Sequence, residues 1–195
     1  MSLFRNRQYN GTSWIEVAKL TPDDATIDDQ FGWSVSLNNN TALIGAPRTG
    51  IYNGGAYIFE YNGTSWVESS QFTGEENNSF FGVSVSLNNN KALVGAFGTN
   101  NFTGAAYVYE RQANGTWMQV QKIVASDRQT IDQFGISVAI SGSFIVVGAP
   151  GEDHDVSGAN ELSFSGSAYV FQRSSSGVWS EEQKIVASDR AIGDS

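Results

Sequence analysis

The sequence predicts an all-β chain built from repeated four-stranded antiparallel units. Three observations predict it. The same short motifs return in register: Phe31-Gly32, Phe81-Gly82 and Phe134-Gly135 are each followed by Gly45-Ala46-Pro47, Gly95-Ala96-Phe97 or Gly148-Ala149-Pro150. Short apolar runs alternate with Asn- and Gly-rich turn signals. No ten-residue stretch carries the periodicity of a helix. A repeat of about 50 residues with four strands is the length of a β-propeller blade.

The units follow in order. Residues 1–20 are expected to be the closing strand of a partial blade, because Tyr9-Asn10-Gly11-Thr12-Ser13-Trp14 copies the end of each later unit. Residues 21–72 form the first blade, 73–123 the second and 124–185 the third. Residues 186–195 begin a further one, since Val186 to Arg190 repeats Val124 to Arg128.

Within the first blade, strand one is expected over Phe31 to Leu37, where large and small residues alternate. Gly32, Ser34 and Ser36 would face a neighbouring blade near the axis. Phe31, Trp33 and Val35 would fill the space between blades. Asn38-Asn39-Asn40 is a turn, because Asn tolerates left-handed backbone. Strand two, Ala42 to Ala46, is continuously apolar and so is expected to be buried on both faces, as is Phe144 to Gly148. Strand three runs from Ala56 to Tyr61, and Asn62-Gly63 opens the next hairpin. Strand four, such as Trp179 to Ile185, carries Glu181, Glu182 and Lys184 and reads as an outer edge. Trp14, Trp66, Trp117 and Trp179 hold a fixed place in the repeat and read as core under that strand.

Composition narrows the function. Of 195 residues 40% are hydrophobic and 16% charged, with a net charge of −9. So acidic a surface repels phosphate backbones, which excludes nucleic acid as a partner. There is no Cys and only one His, so thiol chemistry and multi-His metal sites are ruled out within the chain. No segment approaches the length of a membrane-spanning helix, and the opening Met1 to Arg7 does not read as a signal peptide.

The Phe-Gly and Gly-Ala-Pro pairs resemble the FG-GAP repeat of integrin α-subunit propellers and related bacterial surface proteins. The likeness covers the chain from about Thr21 to Ile185. It implies a propeller and an extracellular or cell-surface binding or adhesion module. Many blades of that family carry an acidic calcium loop between strands one and two. The matching segments here, Asn38-Asn39-Asn40, Asn88-Asn89-Asn90 and Ser141-Gly142-Ser143, contain no carboxylate, so that site does not carry over.

Other candidates come from the residues themselves. The third unit has a longer loop containing Glu152, Asp153 and Asp155. Oxygen ligands in a Gly-flanked loop suit calcium; the competing reading is a solvated acidic loop. Asp29 and Asp132 precede Gln-Phe-Gly, and Asp127-Arg128 recurs as Asp189-Arg190. These read as turn residues, against an alternative charged rim. The turns at Asn62 and Asn114 resemble sialidase hairpins only loosely. No asymmetric set of carboxylates or Tyr residues marks a glycosidase.

The expected function is therefore a non-catalytic surface module binding a protein or carbohydrate ligand. A calcium-dependent carbohydrate-binding or glycosidase-like propeller, and a purely structural spacer of a larger surface protein, are the alternatives. Three blades do not close a ring. The open edges call for a second copy of the chain or further parts of a parent chain.

Overall fold

In the computed structural model residues 4–155 and 165–189 are described, without the side chains of residues 4–9, 14 and 17. The chain folds into strands β1 (Phe4–Tyr9) and β2 (Trp14–Leu20), then three sheets. Blade 1 holds β3 (Ser34–Asn38), β4 (Thr41–Ala46), β5 (Gly55–Tyr61) and β6 (Trp66–Thr73). Blade 2 holds β7 (Ser84–Asn88), β8 (Lys91–Ala96), β9 (Ala105–Arg111) and β10 (Trp117–Ile123). Blade 3 holds β11 (Ser137–Ser141), β12 (Phe144–Ala149), β13 (Ser167–Arg173) and β14 (Trp179–Ile185). Every sheet is an antiparallel meander in chain order, with the charged fourth strand at an edge.

The predicted turns form for the predicted reasons. Asn39 and Asn89 adopt φ of 51° and 52° in the first hairpins. The Asn62 side chain accepts the Thr64 and Ser65 amides, both at 2.9 Å. A bulge interrupts the pairing of strands three and four in each blade, at Ile58/Phe59, Gln119/Gln121 and Val170/Phe171. The pair β1–β2 carries the same irregularity at Asn6/Arg7. It is the outer hairpin of a blade whose inner two strands are not among the described residues.

Strand one begins later than predicted, at Ser34 rather than Phe31. Gly32 stands at φ 89°, and the Trp33 amide donates to the Gln30 carbonyl at 3.0 Å, so Phe-Gly closes a turn. The turn drops Phe31 edge-on against Tyr57 and Phe59, with ring centroids 5.5 and 6.0 Å apart.

The repeated motifs are two halves of one joint. The Ser34 hydroxyl donates to the Gly82 carbonyl of the next blade at 2.8 Å, and Ser84 does the same to Gly135 at 2.8 Å. Ser36 and Ser86 accept the Leu87 and Ile140 amides at 2.9 and 3.1 Å. A Cβ on Gly45 would collide with the Gly82 carbonyl, and one on Gly95 with that of Gly135. The small residues therefore let backbones of adjacent blades touch.

The core lies between blades. Leu43, Ile58 and Phe72 of blade 1 pack with Phe81, Leu87, Tyr107 and Trp117 of blade 2. Leu93, Val108 and Ile123 of blade 2 pack with Phe134, Ile140, Tyr169 and Trp179 of blade 3. Trp33 departs from its expected core role and is 59% exposed. Val35 and Leu37 of the same blade are exposed with it.

Candidate binding surface

An antiparallel meander sends its connections alternately to its two ends. The loops joining strands two and three therefore emerge beside those leading into the next blade, at the end opposite the Asn hairpins. Backbone hydrogen bonds weld them together. The Phe80 amide donates to the Tyr52 carbonyl at 3.0 Å, and the Gln133 amide to that of Phe102 at 2.8 Å. Every described non-glycine residue with positive φ lies in these loops, except Asn39 and Asn89. Strain of this kind gathers where a rigid frame holds functional loops.

Behind the loops each blade buries a tyrosine hydroxyl against a carboxylate. Tyr57 donates to Asp24 at 3.1 Å, with the Gln71 amide donating to the same carboxylate at 2.7 Å. Tyr107 donates to Glu75 at 3.4 Å, joined by Lys122 at 3.2 Å. Tyr169 donates to Asp127 at 2.7 Å, joined by Lys184 at 2.7 Å. Burial first, and the neighbouring carboxylate as well, raises the tyrosine pKa in all three blades, with Lys122 opposing the rise at Tyr107. Burial alone would also raise Asp127; the hydrogen bonds from Lys184 and Tyr169 outweigh it and hold that carboxyl below its ordinary range. Recurrence in three blades marks this trio as structural. Asp127 thus works with Tyr169 and Lys184, while Arg128 donates to the Ala125 carbonyl at 3.3 Å. Asp29 accepts the Thr26 amide at 2.6 Å and hydroxyl at 2.7 Å, a local turn.

Glu152 occupies the place that Thr49 and Thr99 hold in the other blades. It is 1% exposed. One oxygen meets Lys184 at 2.8 Å and the Ser167 hydroxyl at 2.7 Å; the other takes the His154 amide at 2.9 Å. Both oxygens are thereby engaged by groups that compete with a cation. Asp153 and Asp155 are half-buried in the same loop, and residues 156–164 lie outside the described residues. Among the described residues no group of three or more His, Asp or Glu side chains is arranged to hold a metal. Asp132 accepts the Gln129 amide nearby. Burial, reinforced by the charges of Glu152, Asp127 and Asp153, pushes its carboxyl up to about 6 against the opposing backbone hydrogen bond.

Blade 2 departs from its neighbours on this end. Phe80 stands where the others have Gln30 and Gln133, and Phe97 where they have Pro47 and Pro150. With Tyr52 and Phe102 these residues form a ring cluster. Phe80 stacks on Tyr52 at 5.7 Å and on Phe97 at 5.0 Å, and Phe102 leans on Phe97 at 5.8 Å. Arg48 lies over Tyr52 at 5.7 Å. Tyr52 and Phe102 are exposed. Sequence reasoning passed over this cluster. Its signal was the pair of aromatic residues that break an otherwise regular repeat.

A family model described as FG-GAP repeat matches residues 14–59, 66–109 and 117–171. Each stretch starts at the outer strand of one unit and ends in the third strand of the next, so the sequence repeat is one strand out of phase with the blade. No curated protein matches. Among solved structures, a protein from Lactobacillus plantarum is similar, with a TM-score of 0.54 and 11% identity. The match covers 90% of this chain and 46% of that one, so the chain spans under half its length. At that identity the likeness speaks for the fold alone.

Proposed function

We propose, from the premise that this chain belongs to the FG-GAP repeat family, that it is a non-catalytic ligand-binding module of the cell surface. The strands serve as frame and the blade 2 loop end as contact surface. The observation carrying this reading is the cluster of Tyr52, Phe80, Phe97 and Phe102. It is the place where the loop end is at once exposed, strained and different from the repeat. Structural roles recur blade by blade; a ligand site is asymmetric. Rigid scaffolds carry recognition on their loops. The carboxylates behind the loops are bonded to Tyr, Gln, Lys or Ser in a pattern that recurs from blade to blade, which supports a structural role for them. No described helix is long and apolar enough to cross a membrane.

The test is a printed array of glycans and of the matrix proteins fibronectin and collagen, probed with labelled chain in calcium and in chelator. Retention is expected on at least one spot, to be lost in Phe102→Asp and kept in Asn62→Asp, which changes the opposite end. Retention in calcium alone moves the site to the Glu152 loop. Turnover of any 4-nitrophenyl glycoside by the chain ends the non-catalytic reading.

A further inference from the structure

Beside the ring cluster lies an open depression of about 330 Å³ bordered by Glu76, Asn77, Asn78, Asn100, Asn101 and Phe102. That is the size class of a small-molecule site. Gly98 forms its floor, and a Cβ there would strike the Asn78 carbonyl and the Phe80 ring. Blade 1 has Arg48 at the matching position. The Glu76 carboxylate accepts the Asn100 amide at 2.9 Å and so holds the two loops at a fixed separation.

The side chains have an unusual composition. Four exposed primary amides line the rim, and no side-chain hydrogen bond engages any of them among the described residues. Each amide offers donors and an acceptor together. Asn100, Asn101 and Phe102 follow one another at φ of 51°, 57° and 64°. Blade 1 places Gly50 and Ile51 where Asn100 and Asn101 stand, with ψ of −137° at Gly50 against 60° at Asn100 and φ of −92° at Ile51, so it does not share this left-handed run. The second blade keeps amides there at a conformational cost. These amides border a half-exposed aromatic surface.

We infer that this depression binds a neutral glycan, with a pyranose ring laid on Phe102 and its hydroxyls paired with the Asn77, Asn78, Asn100 and Asn101 amides. Sugar hydroxyls donate and accept as primary amides do, and the C–H face of a pyranose is apolar enough to cover a ring. The net charge of −9 and the Glu76 carboxylate disfavour anionic sugars. The inference rests on the binding-module reading and names its ligand class.

Saturation-transfer NMR and calorimetry of the full chain with cellotriose, chitotriose, mannotriose and lactose test it. At least one is expected to bind, with saturation strongest on ring C–H protons. Asn100→Gly with Asn101→Gly is expected to weaken it by about tenfold or more, while relieving the backbone and so preserving the fold. Phe102→Ala weakens it likewise, and Phe102→Tyr restores it. A sugar bound equally by all variants overturns the site. No sugar bound, with retention on a matrix protein still dependent on Phe102, overturns the glycan and leaves the module reading standing. No binding in either assay overturns both.

Discussion

Blade 2 and its two neighbours share a sequence pattern but differ in burial. Leu87 of blade 2 is 6% exposed, whereas Leu37, its counterpart in blade 1, is 61% exposed. Leu93 is fully buried, whereas Val146 at the same position of blade 3 is 41% exposed. Blade 2 has a neighbour on each face. Among the described residues the leading face of blade 1 is covered only in part, where Leu20 packs with Ile44, Tyr57 and Phe59, while Val35 and Leu37 of its inner strand stay exposed; blade 3 has no cover on its trailing face. A blade of this kind is therefore half of two cores rather than the owner of one. Burial is decided by adjacency, as in other quasi-linear repeat arrays.

Equivalent substitutions in two blades put that difference to the test. Leu93→Ala is expected to cost about 3 kcal/mol, against under about 1 kcal/mol for Val146→Ala, read from urea midpoints. Equal losses would mean that the trailing face of blade 3 is covered in solution, and sedimentation of the same sample would identify a second copy as the cover. Next comes the joint. Gly95→Ala drives a methyl into the Gly135 carbonyl and is expected to cost about 2 kcal/mol or more. Gly148→Ala meets only the rotatable Ser137 side chain and its residue's backbone, and is expected to cost about half as much.

A smaller effect belongs to the charged ladder across the blades. Arg111 meets Glu60 at 2.9 Å, and Arg173 meets Glu110 at 2.8 Å. Both pairs are partly exposed, so Glu110→Gln is expected to cost about 0.5 kcal/mol, shrinking in 1 M salt. Tyr61 and Gln172 stand at the ladder's ends, where no ionic partner follows.

A further test is a pH slope in blade 3. The Asp132 carboxyl is raised to about 6 in the fold, above its unfolded value of about 3.9. The folded state then holds a proton that the unfolded state has released. Its contribution to stability is full below the unfolded value and lost as pH rises through about 6. Asp132→Asn is expected to flatten the fall in urea midpoint between pH 4 and 7. An unchanged slope would assign it to other carboxyls.

Much of the fold was legible because turn chemistry and repetition are local. The turns at Asn39 and Asn62 obey rules written within a few residues of themselves, whereas Phe31-Gly32 reads as strand by its alternation and closes a turn instead. The outcome at Trp33 and Val146 was not legible, because an apolar strand looks the same whether or not a neighbour arrives. The run Phe144 to Gly148 reads as buried on both faces, yet Phe144 and Val146 are exposed. At the loop end, Glu152 had the composition of a cation ligand. Its engagement with Lys184 depends on a strand more than 30 residues away, which no spacing rule reports. The blade 2 ring cluster was visible only as Phe80 and Phe97 in the places of Gln and Pro, and its stacking needed four loop positions to converge.

The joint between blades has a consequence for how such chains diversify. One serine hydroxyl donates to a main-chain carbonyl, at Gly82 or Gly135, and a second serine accepts a main-chain amide, at Leu87 or Ile140. The fit is therefore indifferent to which side chains the loops carry. Blades become interchangeable parts with a common coupling. A unit that brings its two glycines and its two serines can be seated next to another while its loops are rewritten, so new recognition surfaces can arise by exchange without the coupling being reinvented.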